Sequence, residues 1–391
     1  MAQFERSDRL NRLPPYLFVE IDKAKKKARD DGRDIIDLGV GDPDTPTPKF
    51  IIDAMNKAMR DPKTHRYALD QGLPEFRQAA ARWFKKRFSV DLDPDGEIHP
   101  LIGSKEGIAH MPLAFINPGD AVLVPDPCYP PYKSGTIFAG GEAIDMPLLE
   151  ANHFLPDLKA VNHHLLHKVK MMFINYPNNP TAATCDKKFF KDVVEFAKKH
   201  NIIVCQDAAY SEIAFDGFKP PSIFEVDGAK DVAIEFHSLS KTFNMTGWRV
   251  GFACGNRGLV EALAKVKANI DSGVFSAIQM AGIAALNNYE KHISGLIRLY
   301  EERQSVLVDG LKGLGWNVQK PKATFYVWAK VPPRYTSATF AQALLDKADI
   351  IATPGNGFGG HGEGYVRMVL TVDKRVLREA VDRIKNRIGM R

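Results

Sequence analysis

Apolar residues along this chain fall into two alternating patterns. Short apolar-rich runs at 121–124, 169–174, 202–205, 232–236 and 250–254 lack the in–out alternation of a half-solvated strand. Strands of a parallel sheet read this way, because helices cover both of its faces. Longer stretches with amphipathic helical spacing separate the runs, so strand and helix alternate through the middle of the chain. The pattern predicts an α/β fold around a mostly parallel sheet. Ahead of this region it predicts a helix to about residue 31 and a strand at 35–40. Behind it, a helical tract from about 289 to 314 leads into a second strand–helix set. That set has strands at 325–331, 350–353 and 365–370, a helix at 340–347, and a closing helix from about 374.

Composition narrows the class. With 391 residues, 45% of them apolar, the chain is long enough for a large core and two domains. It holds no uninterrupted apolar run near 18 residues, so no spanning helix is expected. The start, Met1-Ala-Gln-Phe-Glu-Arg-Ser-Asp8, lacks the apolar stretch of a secretory signal. Cys128, Cys185, Cys205 and Cys254 show no metal-ligand or CxxC spacing, and read as free thiols in a reducing compartment. A cytoplasmic protein is expected. The net charge of +6 is mild for this length. The one basic run, Lys23 to Arg29, is followed by Asp30, Asp31 and Asp34, and reads as an exposed helix face rather than a nucleic-acid surface.

The chemistry concentrates at strand ends. Ser238-Leu-Ser-Lys241, with Arg249 eight residues on, sets one amine between hydroxyls and a guanidinium. Lysine amines form imines with phosphorylated aldehydes, and the flanking groups suit a phosphate, although a solvated turn reads the same way. Asp207 ends the run 201–207, where a parallel strand opens into the crevice that holds ligands. There a carboxylate either faces a pyridine nitrogen or caps the next turn. Tyr210, three residues on, is placed to donate to a ring oxygen. Asn175-Tyr-Pro-Asn-Asn179-Pro180-Thr181 is a turn after another buried strand, and brings the Asn179 amide to the same sheet edge. Gly355-Asn-Gly357-Phe-Gly-Gly360 matches the dinucleotide glycine pattern, but leads into a strand instead of opening a helix. Its glycines are expected to let backbone pass close to a substrate carboxylate. His110, His237 and His361 fall into no nucleophile–base–orienter pattern.

In these motifs, their order and their spacing, the chain resembles the fold-type I, pyridoxal phosphate-dependent class I/II aminotransferases from about Pro14 to its end. The resemblance implies a large domain with a mostly parallel seven-stranded sheet, residues 48–288. A smaller α/β domain is implied from 1–47 together with 289–391. It implies Lys241 as the lysine that bonds the cofactor, Asp207 as partner of the ring nitrogen, and Tyr210 with Asn179 on the ring oxygen. Ser238, Ser240 and Arg249 match phosphate ligands, as do Ser104 and Lys105 of Gly103-Ser-Lys105 at a helix start, an arrangement suited to an anion. Tyr129, in Asp126-Pro-Cys-Tyr-Pro-Pro-Tyr132, matches the aromatic lying on the ring. Arg367, in Gly364-Tyr-Val-Arg-Met-Val-Leu370, matches the arginine that grips the substrate α-carboxylate. Tyr67, in His65-Arg-Tyr-Ala-Leu-Asp-Gln-Gly72, matches a tyrosine reaching a neighbouring subunit's phosphate, which implies a homodimer with shared sites. No metal is implied.

The segments 14–18, 39–44 and 269–275 are most similar to the branch of the family acting on LL-diaminopimelate. That likeness implies exchange between LL-diaminopimelate or tetrahydrodipicolinate and the glutamate/2-oxoglutarate pair, with Tyr16 and Gly41 touching substrate. Asp271-Ser-Gly-Val-Phe-Ser276 departs from the Asn-Gly-Ala-Ser-Asn of part of that branch. Alanine, aspartate or aromatic aminotransferases, and a carbon–sulfur β-lyase of the same fold, remain the alternatives.

Overall fold

The computed structural model describes residues 4–14, 17–68 and 71–389. Its centre is a seven-stranded sheet. In spatial order the strands are Ile98–Leu101, Gly251–Gly255, Ala233–Ser238, Ile203–Asp207, Val169–Asn175, Ala121–Asp126 and Glu142–Pro147. The last five run parallel, and Gly251–Gly255 is antiparallel to both of its neighbours. The expected mostly parallel sheet is therefore present. Its inner strands are the apolar runs of the sequence, because helices close both faces. Phe190, Val193 and Ala197 of helix Lys187–His200 bury one side, and Ile108 and Met111 of helix Ser104–Phe115 the other.

The two outer strands were not legible as apolar runs. Glu142–Pro147 is an edge strand with a single fully buried residue, and Ile98–Leu101 carries His99 and Pro100. Glu142–Pro147 faces solvent and so tolerates polar residues, whereas Ile98–Leu101 is buried throughout and its edge position is what tolerates proline.

A second core gathers Leu38, Tyr300, Leu307, Phe325, Val327, Phe340, Val366, Met368, Leu377 and Ile384. It lies between helices Tyr289–Gly313, Ser337–Ala348 and Lys374–Arg387 and an antiparallel sheet of Thr353–Pro354, Tyr365–Val369 and Tyr326–Lys330. The expected strand at 35–40 shrinks to Ile36–Asp37, paired in parallel with Ile350–Ile351. Beyond it the chain stays extended, but its carbonyls turn to side chains: Gly39 O accepts from Arg367 and Thr353, and Gly41 O from Lys241. The expected strand 350–353 splits at Ala352, one half joining each small sheet. Arg303, almost fully buried, makes a bidentate pair with Asp44 at 2.7 and 2.8 Å, tying the first segment to helix Tyr289–Gly313. Among the described residues, no helix is long and apolar enough to cross a membrane.

Candidate active site

A cavity of about 420 Å³ opens where the parallel strands end. Ser104, Lys105, Tyr129, Asn179, Asp207, Tyr210, Ser238, Ser240, Lys241, Arg249, Gly41 and Arg367 all line it. The topology gathers them: Asp207 ends one strand, and Asn175 ends its parallel neighbour at the same register. Asn175 Nδ2 donates to Asp207 O at 2.7 Å, and its Oδ1 accepts from Asn179 N at 2.7 Å. The Asn-Pro turn is thus locked against the strand that carries Asp207. Tyr16 lies outside the described residues. Tyr67 stands apart, 83% exposed, at a surface hollow shared with Ser272, Gly273, Val274 and Phe275.

Lys241 sits in a four-residue helix capped by Ser238, whose hydroxyl accepts from Ser240 N at 3.2 Å. The Lys241 Nζ donates to Gly41 O at 2.8 Å. Burial lowers its pKa to about 8; Asp42 opposes this, while Arg367 and Arg249 add to it. An ammonium loses hydration there, so the neutral, nucleophilic amine becomes accessible near physiological pH.

Asp207 is pushed the other way. Burial raises it to about 6, against hydrogen bonds from Tyr132 Oη at 2.8 Å and Ala209 N at 3.1 Å and the nearby His237. Arg367 is fully enclosed, donating to Asn179 Oδ1 and to Gly39 O, both at 2.7 Å. Its guanidinium lies over the rings of Tyr326 and Phe358, at 4.3 and 4.6 Å. Aromatic faces compensate a buried cation for lost water.

The residues fit a phosphorylated pyridine aldehyde. Helix Ser104–Phe115 starts at Gly103 without a side-chain cap, which leaves its first N–H groups and positive dipole end for an anion. Ser240 Oγ is buried and has no hydrogen-bond partner among the described residues. The Arg249 guanidinium lies so close to Gly103 that any Cβ there would collide with it. Gly103 has φ +75°, and Arg249 itself adopts φ 55°, a left-handed conformation that costs a non-glycine residue energy. Hydroxyls, a guanidinium and a helix end thus converge a short way from one amine and one carboxylate.

The glycines of 355–360, expected near a substrate carboxylate, do not line this cavity. They press on the loop that carries Tyr129: a Cβ at Gly359 would strike the Asp126 carboxylate, and Phe358 O accepts from Cys128 N at 2.9 Å. Phe358 of this loop lies against the Arg367 guanidinium. The glycines serve close backbone packing, which leaves the same sequence signature as ligand approach.

Sequence reasoning missed Tyr132 and Tyr326. Tyr132 shares the Pro-rich motif with Tyr129 and bonds Asp207; the repeat of tyrosine three residues on was its one signal. Tyr326 meets Tyr210 hydroxyl to hydroxyl at 2.6 Å. It lies inside an apolar strand, where nothing in the pattern separates it from core.

Comparison with known proteins agrees with this geometry. The model of the family described as aminotransferase class I and II matches residues 33–384. The LL-diaminopimelate aminotransferase of Moorella thermoacetica is 54% identical over 385 residues, covering 98% of this chain and 99% of that protein. That of Aquifex aeolicus is 55% identical over 383 residues, with coverage of 98% and 99%. Among solved structures, substrate-bound BacF from Bacillus subtilis superposes with a TM-score of 0.94 at 39% identity, covering 98% of each chain. Lysine, carboxylate and phosphate cradle in one cavity, with family likeness along nearly the whole length, lead to one conclusion: the chain belongs to the pyridoxal phosphate-dependent class I and II aminotransferases.

Proposed function

We propose that this aminotransferase moves an amino group between LL-diaminopimelate, or its cyclic form tetrahydrodipicolinate, and the glutamate/2-oxoglutarate pair. The observation that carries the reading is the likeness of more than half of all positions, end to end, to enzymes named for LL-diaminopimelate. When bound, pyridoxal phosphate supplies an electron sink for the pair left on the substrate's Cα. The chain does the rest. Lys241, whose pKa burial lowers to about 8, would take the Cα proton and return it to the carbon on the far side of the transferred nitrogen, acting as base and then as acid. Asp207 keeps the ring nitrogen positively charged, and Tyr210 with Asn179 hydrogen-bonds the ring oxygen. Tyr129 covers the ring face. Ser104, Lys105, Ser238, Ser240 and Arg249 hold the phosphate. Arg367 grips the α-carboxylate of each substrate in turn through its planar fork. Gly41 borders the substrate, and it has to be small because a Cβ would run into Tyr326.

The same reading makes residues 48–288 the cofactor-binding domain and 1–47 with 289–391 the smaller one. It makes the active form a cytoplasmic homodimer with shared sites. Support comes from the exposed Tyr67 and from Ile52, Phe275 and Met280, large apolar side chains left open on the neighbouring helices and loop. A second copy would cover them and take Tyr67 to its phosphate.

The test is a substrate panel with 2-oxoglutarate as acceptor, following tetrahydrodipicolinate by trapping with o-aminobenzaldehyde and glutamate by a coupled assay. kcat/KM for LL-diaminopimelate should exceed that for alanine, aspartate or phenylalanine by about a hundredfold, since contacts to the distal end discriminate strongly. An equal or higher value for one of those would transfer the assignment to it. Thiol release from cystathionine without glutamate formation would favour the β-lyase.

A further inference from the structure

We propose that Tyr132 is a positioning residue for the transamination: its hydroxyl aims the Asp207 carboxylate and holds it as an anion for the ring nitrogen. This rests on the assignment of Asp207 as the ring's partner. The geometry is direct. Tyr132 Oη donates to Asp207 Oδ2 at 2.8 Å, while Oδ1 accepts from Ala209 N at 3.1 Å, so each carboxylate oxygen has one fixed donor. The Tyr132 ring has no exposed surface. It stacks on Phe173 at 4.9 Å and 12°, and meets Tyr129 edge-on at 5.8 Å. Phe173 belongs to the strand paired with the one that carries Asp207, so sheet register sets the direction of the hydroxyl. The other titratable groups facing Asp207 are His237 on the strand Ala233–Ser238, itself bonded to Glu235 at 2.7 Å, and Tyr210 and Tyr326 across the cavity.

The need for such a donor follows from the enclosure of Asp207. Burial favours the neutral acid, and the pKa reaches about 6 even with both hydrogen bonds in place. Burial and the Asp207 charge hold the Tyr132 phenol well above its ordinary value, so it donates a proton and never competes as an anion. Removing one hydrogen bond to a charged group moves the carboxylate upward by about one to two pH units. Much of it would then be protonated at neutral pH, and a protonated acid cannot hold the ring nitrogen positive.

The experiment compares full-length wild type, Tyr132→Phe, and protein carrying 3,5-difluorotyrosine at position 132. The phenylalanine keeps the stacked ring and removes only the hydroxyl. The fluorinated residue keeps the hydroxyl and makes it a stronger donor. Each is labelled with ¹³C at aspartate carboxyls and titrated by NMR after removal of cofactor, and the Asp207 signal is identified by its loss in Asp207→Asn. Relative to wild type, the Asp207 titration should move up by about one to two pH units in Tyr132→Phe and down in the fluorinated protein. On reloading, Tyr132→Phe should hold pyridoxal phosphate about tenfold less tightly at neutral pH, yet hold the 1-deaza analogue, which has no ring nitrogen, as wild type does. An Asp207 titration that moves in neither variant overturns the proposal, and so does equal weakening for both ligands. If wild type and Asp207→Asn show the same preference between the two ligands, the carboxylate is not the ring partner. The reading of the site then falls together with the proposal.

Discussion

The lowered pKa of Lys241 gives a test that needs no cofactor. Burial brings the amine from the ordinary 10.5 to about 8, with Arg367 and Arg249 pushing the same way and Asp42 opposing. At pH 7.5 such an amine is about one quarter neutral, against roughly 0.1% for an ordinary lysine, so its reactive fraction is a few hundredfold larger. The perturbation is Asp42→Asn, which removes a carboxylate that stabilises the ammonium; the pKa should then fall further. The assay is competitive isotopic acetylation read by peptide mass spectrometry across pH 6 to 11, with a free lysine peptide as internal reference. Reactivity of Lys241 should rise tenfold per pH unit up to a break near 8, and the break should move to lower pH in Asp42→Asn. The sign is fixed by the chemistry: the group is charged below its pKa, so removing a nearby anion can only make the charge less stable. A break near 10 would refute burial as the cause, and an upward move in the variant would refute Asp42 as the opposing charge.

Three further outcomes are expected. Lys241→Ala should lose turnover by more than a hundredfold, as general-base catalysis at this step is typically worth about that or more, while its thermal midpoint stays close to wild type; turnover within tenfold would sink the assignment. Arg367→Lys should raise KM for amino and oxo acids alike, because a point charge replaces a planar fork held by Asn179 Oδ1 and Gly39 O; an unchanged KM for both would place the carboxylate elsewhere. Mixing Lys241→Ala with Tyr67→Phe subunits should give activity above either parent, since hybrid dimers hold one site free of both lesions; a fully active monomer in sedimentation would exclude shared sites.

What the sequence displayed follows from the parallel sheet. Residues that follow or end parallel strands meet at one edge, so Asn179, in the turn after one apolar run, and Asp207, at the end of another, could be placed together once those runs were seen. The serines and Lys241 followed likewise from the end of Ala233–Ser238. The segment 38–41 was harder. Its apolar pattern says strand, yet its carbonyls serve Arg367, Thr353 and Lys241, and a hydrogen bond from a distant side chain leaves no trace in local periodicity. The outer strands were hidden for the opposite reason: solvent-facing positions of Glu142–Pro147, and the buried His99-Pro100 pair of Ile98–Leu101, dilute the apolar signal.

The two missed tyrosines show where such reading ends. A charged residue at a strand end advertises itself, because burying it without a partner costs several kcal/mol, so its presence implies one. A tyrosine in an apolar stretch costs little to bury once its hydroxyl finds a single acceptor, and core packing explains it equally well. What separates Tyr132 from a core tyrosine is the direction of one O–H bond, set by stacking on Phe173 across a strand pairing that local sequence does not specify. Tyr326 is the same case at long range within the second core: its partner Tyr210 is 116 residues away, and only the packing of the small sheet against the strand ends brings the hydroxyls to 2.6 Å. Charges at this site are therefore readable from the chain, whereas the neutral groups that aim them are readable only from the fold.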